Sequence, residues 1–191
     1  MKHAQMTALA ERPPTQQSAT KSPVSAKAPG GHKRAKVARR AGPDVAYALF
    51  LDFDGVLHPT TIEVVLETDE VVGTTLFGWV PALVKLLKPH PDVALVISST
   101  WRYTHNLEEL RGVLGELGPK VVGVTPRGQR YESIRWFLQL NPQFASHRIL
   151  DDALSESPDP PPKELILCDP RTGVSSTAVL CALQNWLDER E

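Results

Sequence analysis

The sequence predicts a three-layer α/β fold with a mostly parallel sheet from about residue 45 onward. Two observations lead to this prediction: short apolar runs recur along the chain, and segments with helical periodicity separate them. Strands that alternate with helices of this length imply right-handed crossovers, which place parallel strands in one sheet and helices on both of its faces. The chain of 191 residues is long enough for one domain with a hydrophobic core.

Each element has its own local signal. Apolar runs predict five strands: Tyr47–Phe53, Asp92–Ile97, Lys120–Val124, Arg148–Leu150 and Glu164–Cys168. Apolar residues at helical spacing predict four helices: Val80–Leu87, Leu107–Leu117, Tyr131–Leu140 and Ser175–Leu187. Residues 61–77 interrupt this alternation with two short β-like runs joined around Thr68 and Asp69. They predict a hairpin that lies over the end of the first strand.

The first 44 residues differ in composition from the rest of the chain. They carry nine basic and two acidic side chains, whereas the remainder holds 12 basic and 20 acidic ones. The segment has no Ile, Phe, Trp or Tyr, so it cannot bury enough apolar surface to offset the entropy of ordering. We therefore expect a disordered basic tail over residues 1–44 and a globular domain over residues 45–191. The basic cluster at residues 32–40 could contact nucleic-acid phosphates, although a solvated linker is the favoured interpretation.

The composition argues against a membrane-bound or secreted protein. No run of 18 or more apolar residues occurs, so we expect no membrane span and no membrane partner. Cys168 and Cys181 are the two cysteines, and they lie far from any C-x-x-C spacing. Buried thiols in a reducing compartment are therefore favoured over a disulfide or a zinc site, and we expect the protein to be cytoplasmic.

Polar side chains with metal-binding and phosphate-binding chemistry follow several of the predicted strands. They are Asp52 and Asp54 after the first strand, Ser98 and Ser99 after the second, Asp151 and Asp152 after the fourth, and Asp169 after the fifth. Ligands of open parallel sheets bind beyond the carboxyl ends of the strands, so these side chains should converge. Carboxylates that repel one another require a neutralising cation, and Mg²⁺ fits best when the substrate is a phosphate.

The segment Asp52-Phe53-Asp54-Gly55 suits phosphoryl chemistry. The i, i+2 spacing puts both carboxylates on the same side of an extended chain, so one could attack phosphorus while the other protonates the leaving oxygen. Gly55 allows a tight turn that brings backbone N–H groups near the phosphate oxygens. Taken alone, the pair fits a conformational turn equally well. A calcium loop would need a further acid at ligand spacing, which the nearby chain lacks.

Three segments together resemble the haloacid dehalogenase (HAD) superfamily. Leu49–His58 resembles its motif I, Val96–Arg102 resembles its motif II, and Ile149–Asp152 resembles its acidic motif IV, in that order. The combination is most similar to the small-cap branch found in bacterial hypothetical proteins and nucleic-acid repair enzymes, and it covers roughly residues 46–188. The resemblance implies a Rossmann-like domain with a minimal β-hairpin cap.

The resemblance also implies roles for single residues. Asp52 would form an aspartyl-phosphate and bind Mg²⁺, and Asp54 would be the general acid/base with its backbone carbonyl on the metal. Ser98 would hydrogen-bond the phosphoryl oxygens, while Asp151 and Asp152 would complete the metal site. These roles agree with the argument from the strand ends, in which a metal, a hydroxyl and backbone donors hold a phosphoryl group.

The superfamily also uses a cation that stabilises phosphate charge. No lysine follows Lys120 until Lys163, so an arginine has to take this role. Arg130 directly precedes a predicted helix, where the resemblance implies that this cation lies, and it is preferred, with Arg127 and Arg135 as alternatives. Arginine can bind phosphate through two parallel hydrogen bonds.

Residues beside the motifs are further candidates. Ser99 and Arg102 could contact the substrate, although Arg102 fits a structural ion pair equally well. Trp101 could stack on a base, but packing against the domain is favoured. His58 could enter the site from its loop or serve as a structural hydrogen-bonding residue.

These observations favour a Mg²⁺-dependent phosphatase that hydrolyses phosphate esters of a phosphorylated substrate. Only 43 residues separate Asp54 from Ser98, too few for a large cap, so the open site could admit a bulky substrate such as a nucleic-acid end. A phosphotransferase or a small-metabolite phosphatase on the same scaffold remains an alternative. A non-catalytic binding module is the other, although the presence of both Asp52 and Asp54 argues against it.

Overall fold

A computed structural model describes residues 46–60 and 76–189, and within them the chain alternates between strands and helices. The strands are β1 (Tyr47–Leu51), β2 (Val93–Ile97), β3 (Val121–Val124), β4 (Ser146–Asp151) and β5 (Leu165–Leu167). The α-helices are α1 (Val80–Leu87), α2 (Leu107–Val113), α3 (Arg130–Leu140) and α4 (Thr177–Asp188). Short 3₁₀ turns are Thr100–Tyr103, Gly115–Lys120, Leu154–Glu156 and Gly173–Ser175.

The five strands form one sheet in the order β3-β2-β1-β4-β5, and every pair is parallel. The chain builds outward from β1 to β2 and β3, then crosses back to place β4 on the other side of β1. Leu51, at the end of β1, pairs with Ile97 on one side and with Leu150 on the other. The order of the strands therefore reverses beside β1, which is where open parallel sheets bind their ligands.

Two apolar clusters cover the two faces of the sheet. On one face, Leu49 and Leu95 are buried with residues of α1, α2 and α4. On the other face, Phe50 and Val96 are buried with Ile134 and other residues of α3. Alternate residues of the same strands thus enter opposite clusters, as the period of two in a strand requires. The predicted three-layer α/β fold is confirmed, with a sheet that is parallel throughout the described residues.

The element boundaries differ from the predicted ones in two instructive places. The helix expected over Leu107–Leu117 ends at Val113, and the chain continues as a 3₁₀ turn that contains Pro119. Gly112 and Gly115 weaken the helix at this point, and a proline inside a helix removes a hydrogen bond. Strand β4 begins two residues earlier than its apolar run, because the polar residues at its start still pair with β1.

The basic tail at residues 1–44 and nearly all of the hairpin at residues 61–77 lie outside the described residues, so both remain predictions. Within the part of the chain that the structure describes, no helix combines the length and the apolar character needed to cross a membrane.

Candidate active site

Asp52, Ser98 and Asp151 lie side by side at the carboxyl edge of three neighbouring strands. The Asp52 N–H donates to the carbonyl of Leu150 (3.1 Å), and the Ser98 N–H donates to the carbonyl of Leu51 (3.0 Å). Each of the three polar residues comes two positions after a strand residue of the apolar cluster that includes Ile134 of α3. Side chains two apart on a strand point to the same face, so these three share that face. All three are buried.

Arg130, the first residue of α3, joins two of these strand ends. Its Nη1 donates to Asp52 Oδ2 at 2.5 Å and to Asp151 Oδ1 at 2.6 Å, and its side chain is only 11% exposed. Burial lowers the pKa of Arg130, but the two carboxylates outweigh this effect and raise the pKa above its ordinary value. Arg127 instead donates to the carbonyl of Tyr103. Of the three arginines proposed from the sequence, Arg130 is therefore the one for which the structure shows contacts with Asp52 and Asp151.

The third of these arginines lies on the outer side of the same helix. Arg135 is 55% exposed, and its Nη1 is 3.7 Å from the carboxylate of Glu132. An exposed pair of this kind contributes little to stability. Arg135 is therefore a surface residue in this fold.

Three carboxylates form a group with the donor chemistry of a divalent cation site. Oxygens of Asp52, Asp151 and Asp152 all lie within 4.8 Å of one another. Burial raises the pKa of Asp151, an effect that Arg130 partly offsets, and burial together with the charge of Asp52 raises the pKa of Asp152. Three carboxylates against one guanidinium leave an excess of two negative charges, so the donor set fits a hard divalent cation such as Mg²⁺.

Gly55 occupies the turn after β1, at a position that disfavours any larger residue. Its φ is +69°, and an added Cβ would lie 2.1 Å from Asp152 Oδ2. The turn is closed by the N–H groups of Val56 and Leu57, which both donate to the carbonyl of Phe53 (3.2 and 2.8 Å). Gly55 thus supplies the left-handed backbone and lets a carboxylate of the cluster approach the turn.

Asp54 is not a member of the group of three carboxylates and has its own partners. Its Oδ2 accepts a hydrogen bond from Trp101 Nε1 at 3.1 Å, and its Oδ1 lies 3.1 Å from His58 Nε2. The Asp54 side chain is 44% exposed, whereas His58 is buried. One face of Trp101 is covered by the stacked ring of His105, so that face is closed to a nucleic-acid base.

Ser98 Oγ is buried and has no hydrogen-bond partner among the described residues, and the same holds for Thr125 Oγ1. Thr125 follows β3 just as Ser98 follows β2, and its N–H donates to the carbonyl of Ile97 (2.9 Å). An unsatisfied buried hydroxyl costs about 1–3 kcal/mol, which an oxygen of a bound ligand can recover. Thr125 was not among the site residues predicted from the sequence, although it follows a predicted strand, where the same edge rule applies.

The two remaining substrate-binding candidates have mostly internal partners. Ser99 Oγ accepts from the Trp101 N–H at the start of a 3₁₀ turn (3.4 Å). The guanidinium of Arg102 donates to the carbonyls of Ser98 and Ser99 and to the hydroxyl of Tyr103. Burial lowers the pKa of Arg102. These contacts favour a structural role in holding the loop after β2, with carbonyls rather than the expected carboxylate as partners.

Arg102 also lines a cavity of about 330 Å³ beside Arg130. Its other lining residues are Thr100, Tyr103, Gly128, Gln129 and Glu156. Substrate contact by Arg102 from within this cavity remains a prediction.

The comparisons with known proteins agree with this arrangement. A family model described as the HAD domain in Swiss Army Knife RNA repair proteins matches residues 48–179, which include all three motif segments. Neither a search of curated proteins nor a search of solved structures found a match. The chain, with its parallel α/β sheet and a carboxylate group at the sheet's carboxyl edge, therefore belongs to the family of HAD domains found in Swiss Army Knife RNA repair proteins.

Proposed function

We propose that the protein is a Mg²⁺-dependent phosphatase that removes phosphate from the end of a nucleic-acid strand through an aspartyl-phosphate on Asp52. The observation that carries this proposal is the contact of Arg130 with Asp52 and Asp151 beside a group of three carboxylates. A carboxylate held by a cation and placed beside a candidate metal site is equipped to attack a phosphate ester.

In the first step, a carboxylate oxygen of Asp52 forms a bond to phosphorus while the bond from phosphorus to the leaving oxygen breaks. Asp54, in its protonated form, gives the leaving oxygen its proton. In the second step, Asp54 takes a proton from water, the resulting hydroxide attacks phosphorus, and the bond to Asp52 breaks. The products are the dephosphorylated alcohol and inorganic phosphate, and both aspartates return to their starting states.

The surrounding side chains compensate charge during these steps. Ser98 Oγ, which has no partner among the described residues, would donate to a phosphoryl oxygen. Arg130 would hold Asp52 in place and offset the charge that builds up on the transferring group. A Mg²⁺ bound by Asp52, Asp151 and Asp152 would draw electron density from the phosphoryl oxygens and reduce their repulsion of the attacking carboxylate.

Three features support a nucleic-acid end as the substrate. The matched family model is described by its occurrence in RNA repair proteins. The Asp54 side chain is 44% exposed, which leaves room for a bulky leaving group beside it. Residues 1–44 carry nine basic side chains, which would attract a polyanion.

The chemistry is tested by phosphate release from p-nitrophenyl phosphate with and without Mg²⁺. Wild type is expected to turn over only with Mg²⁺, and Asp52→Asn is expected to lose activity because the amide is not a nucleophile. Asp188→Asn, an exposed aspartate at the end of α4, is the matched control and should behave like wild type. Absence of turnover by folded wild type across a wider phosphate panel would refute the proposal and favour a binding module.

The substrate class is tested by comparing terminally phosphorylated RNA oligonucleotides with nucleoside monophosphates and sugar phosphates. We expect a higher kcat/KM for the oligonucleotides, and the opposite order would indicate a small-metabolite phosphatase. A variant without residues 1–44 separates the contribution of the tail. Equal turnover of phosphorylated oligonucleotide with and without these residues would remove the tail from the substrate argument.

A further inference from the structure

We propose that Trp101 and His58 are positioning residues that hold the Asp54 carboxylate in the orientation needed for proton transfer to the leaving oxygen. This inference rests on the proposed function, in which Asp54 is the general acid/base. It adds two residues that act through their hydrogen bonds to Asp54.

The two carboxylate oxygens of Asp54 have one partner each. Trp101 Nε1 lies 3.1 Å from Oδ2, and because an indole N–H can only donate, this oxygen is always the acceptor. His58 Nε2 lies 3.1 Å from Oδ1, the oxygen left to carry the transferred proton when Oδ2 accepts from Trp101. Partners on both oxygens fix the plane of a carboxylate, which matters here because an Asp54 side chain that is 44% exposed would otherwise sample several rotamers.

Trp101 is itself held in place by surrounding rings. It meets Phe53 and Phe77 in edge contacts, with centroid distances of 5.7 and 5.3 Å, and His105 stacks on it at 5.0 Å. The ring of His58 also contacts Phe77 (5.0 Å). Both partners of the carboxylate are therefore packed against neighbouring rings, as a residue must be if it is to hold another side chain in a productive orientation.

Phe77 adds a backbone observation to this support. It has a φ of 60°, a backbone conformation that residues other than glycine rarely adopt. Its ring contacts both of the residues that hold Asp54. A conformation of this kind persists only where the surrounding structure determines it, as the packed rings do here.

A positioning role makes a specific kinetic prediction. Protonation by Asp54 matters most for a basic leaving oxygen and little for an acidic phenol, which departs readily as an anion. Loss of a partner that orients Asp54 should therefore slow poor leaving groups more than good ones. Loss of a residue that only stabilises the fold would slow all substrates by the same factor.

The test compares kcat/KM for p-nitrophenyl phosphate and phenyl phosphate, whose leaving groups differ in basicity. Trp101→Phe removes the N–H and keeps an aromatic ring in the cluster. We expect its loss on phenyl phosphate to exceed its loss on p-nitrophenyl phosphate by about tenfold, a part of the 10²–10⁴ that general acid catalysis supplies. Trp136→Phe is the matched control, because Trp136 lies on α3 and is 55% exposed, and it should match wild type on both substrates.

His58→Phe provides a second variant with the same logic, since it keeps a ring and removes the partner of Oδ1. It decides the question if Trp101→Phe does not fold, as judged by thermal unfolding. Equal losses on both substrates in a folded variant would overturn the positioning role while leaving the proposed function intact. Absence of turnover by wild type on both substrates would overturn the proposed function itself, and the inference with it.

Discussion

Replacing Arg130 with methionine should strongly destabilise the fold, because the change removes the cation between two buried carboxylates. Arg130 Nη1 lies 2.5 Å from Asp52 and 2.6 Å from Asp151, and all three side chains are almost completely buried. Breaking a buried pair by removing one partner costs about 3–5 kcal/mol, since the other charge stays buried without compensation. For a domain of this size, that loss corresponds to a decrease in Tm of roughly 6–20 °C.

Thermal and urea unfolding in buffer with EDTA measure this loss, and Arg135→Met serves as the matched control. Arg135 lies on the same helix but is 55% exposed, and its pair with Glu132 spans 3.7 Å, so its replacement should change stability by less than about 0.5 kcal/mol. Addition of Mg²⁺ should narrow the difference between Arg130→Met and wild type, because the cation compensates the same carboxylates.

The penalty should also depend on pH. Burial raises the pKa of Asp151 and Arg130 partly offsets this, so without Arg130 the pKa should rise further. A carboxyl group whose pKa is higher in the folded than in the unfolded protein favours folding at a pH below its unfolded pKa of 3.8. This contribution to the free energy of unfolding is lost as the pH rises through the pKa of the folded protein. The destabilisation by Arg130→Met should therefore be larger at pH 7 than near pH 4. An Arg130→Met variant no less stable than Arg135→Met at pH 7 would refute this account of the buried ion pairs.

Three further predictions concern single residues. Gly55→Ala should lower Tm and weaken Mg²⁺-dependent stabilisation more than Gly115→Ala, because both glycines have a positive φ but only a Cβ at position 55 would meet a carboxylate. Equal effects of the two changes would contradict this. Native protein should incorporate one equivalent of iodoacetamide at pH 8, at the exposed Cys181, because burial raises the pKa of Cys168 to about 12; rapid labelling of both would contradict this. Burial also lowers the pKa of His147, so the midpoint of its NMR titration should lie below pH 6.5, and its contribution to stability should be lost as the pH drops through that region. A midpoint at or above 6.5 would contradict this.

The strand ends could be predicted from the sequence because local patterns specify them. Apolar runs located the strands, and in a parallel sheet their carboxyl ends must meet at one edge, which brings Asp52, Ser98 and Asp151 together. Arg130 could be preferred but not singled out. Whether Arg130, Arg127 or Arg135 reaches the carboxylates depends on how the start of α3 is placed over the sheet, and no local pattern encodes that position.

The contact between Trp101 and Asp54 could not be predicted from the sequence for a different reason. Trp101 is 47 positions away from Asp54, and its indole N–H reaches the carboxylate only because several rings pack around it. Element boundaries also depended on context. The start of β4 at Ser146 is polar and is set by pairing with β1, so a search for apolar runs placed the strand two residues too late.

The nucleophile can be identified by detecting a phosphoryl group on Asp52. The Asp54→Asn variant would be mixed with p-nitrophenyl phosphate and Mg²⁺, quenched in acid, digested and examined by mass spectrometry. We expect a phosphoryl group on Asp52, because without Asp54 no carboxylate activates the water that breaks down the intermediate. We expect no such group when Asp52→Asn is added to the variant. A phosphoryl group on another residue, or turnover by Asp52→Asn at the wild-type rate, would contradict the claim that Asp52 is the nucleophile.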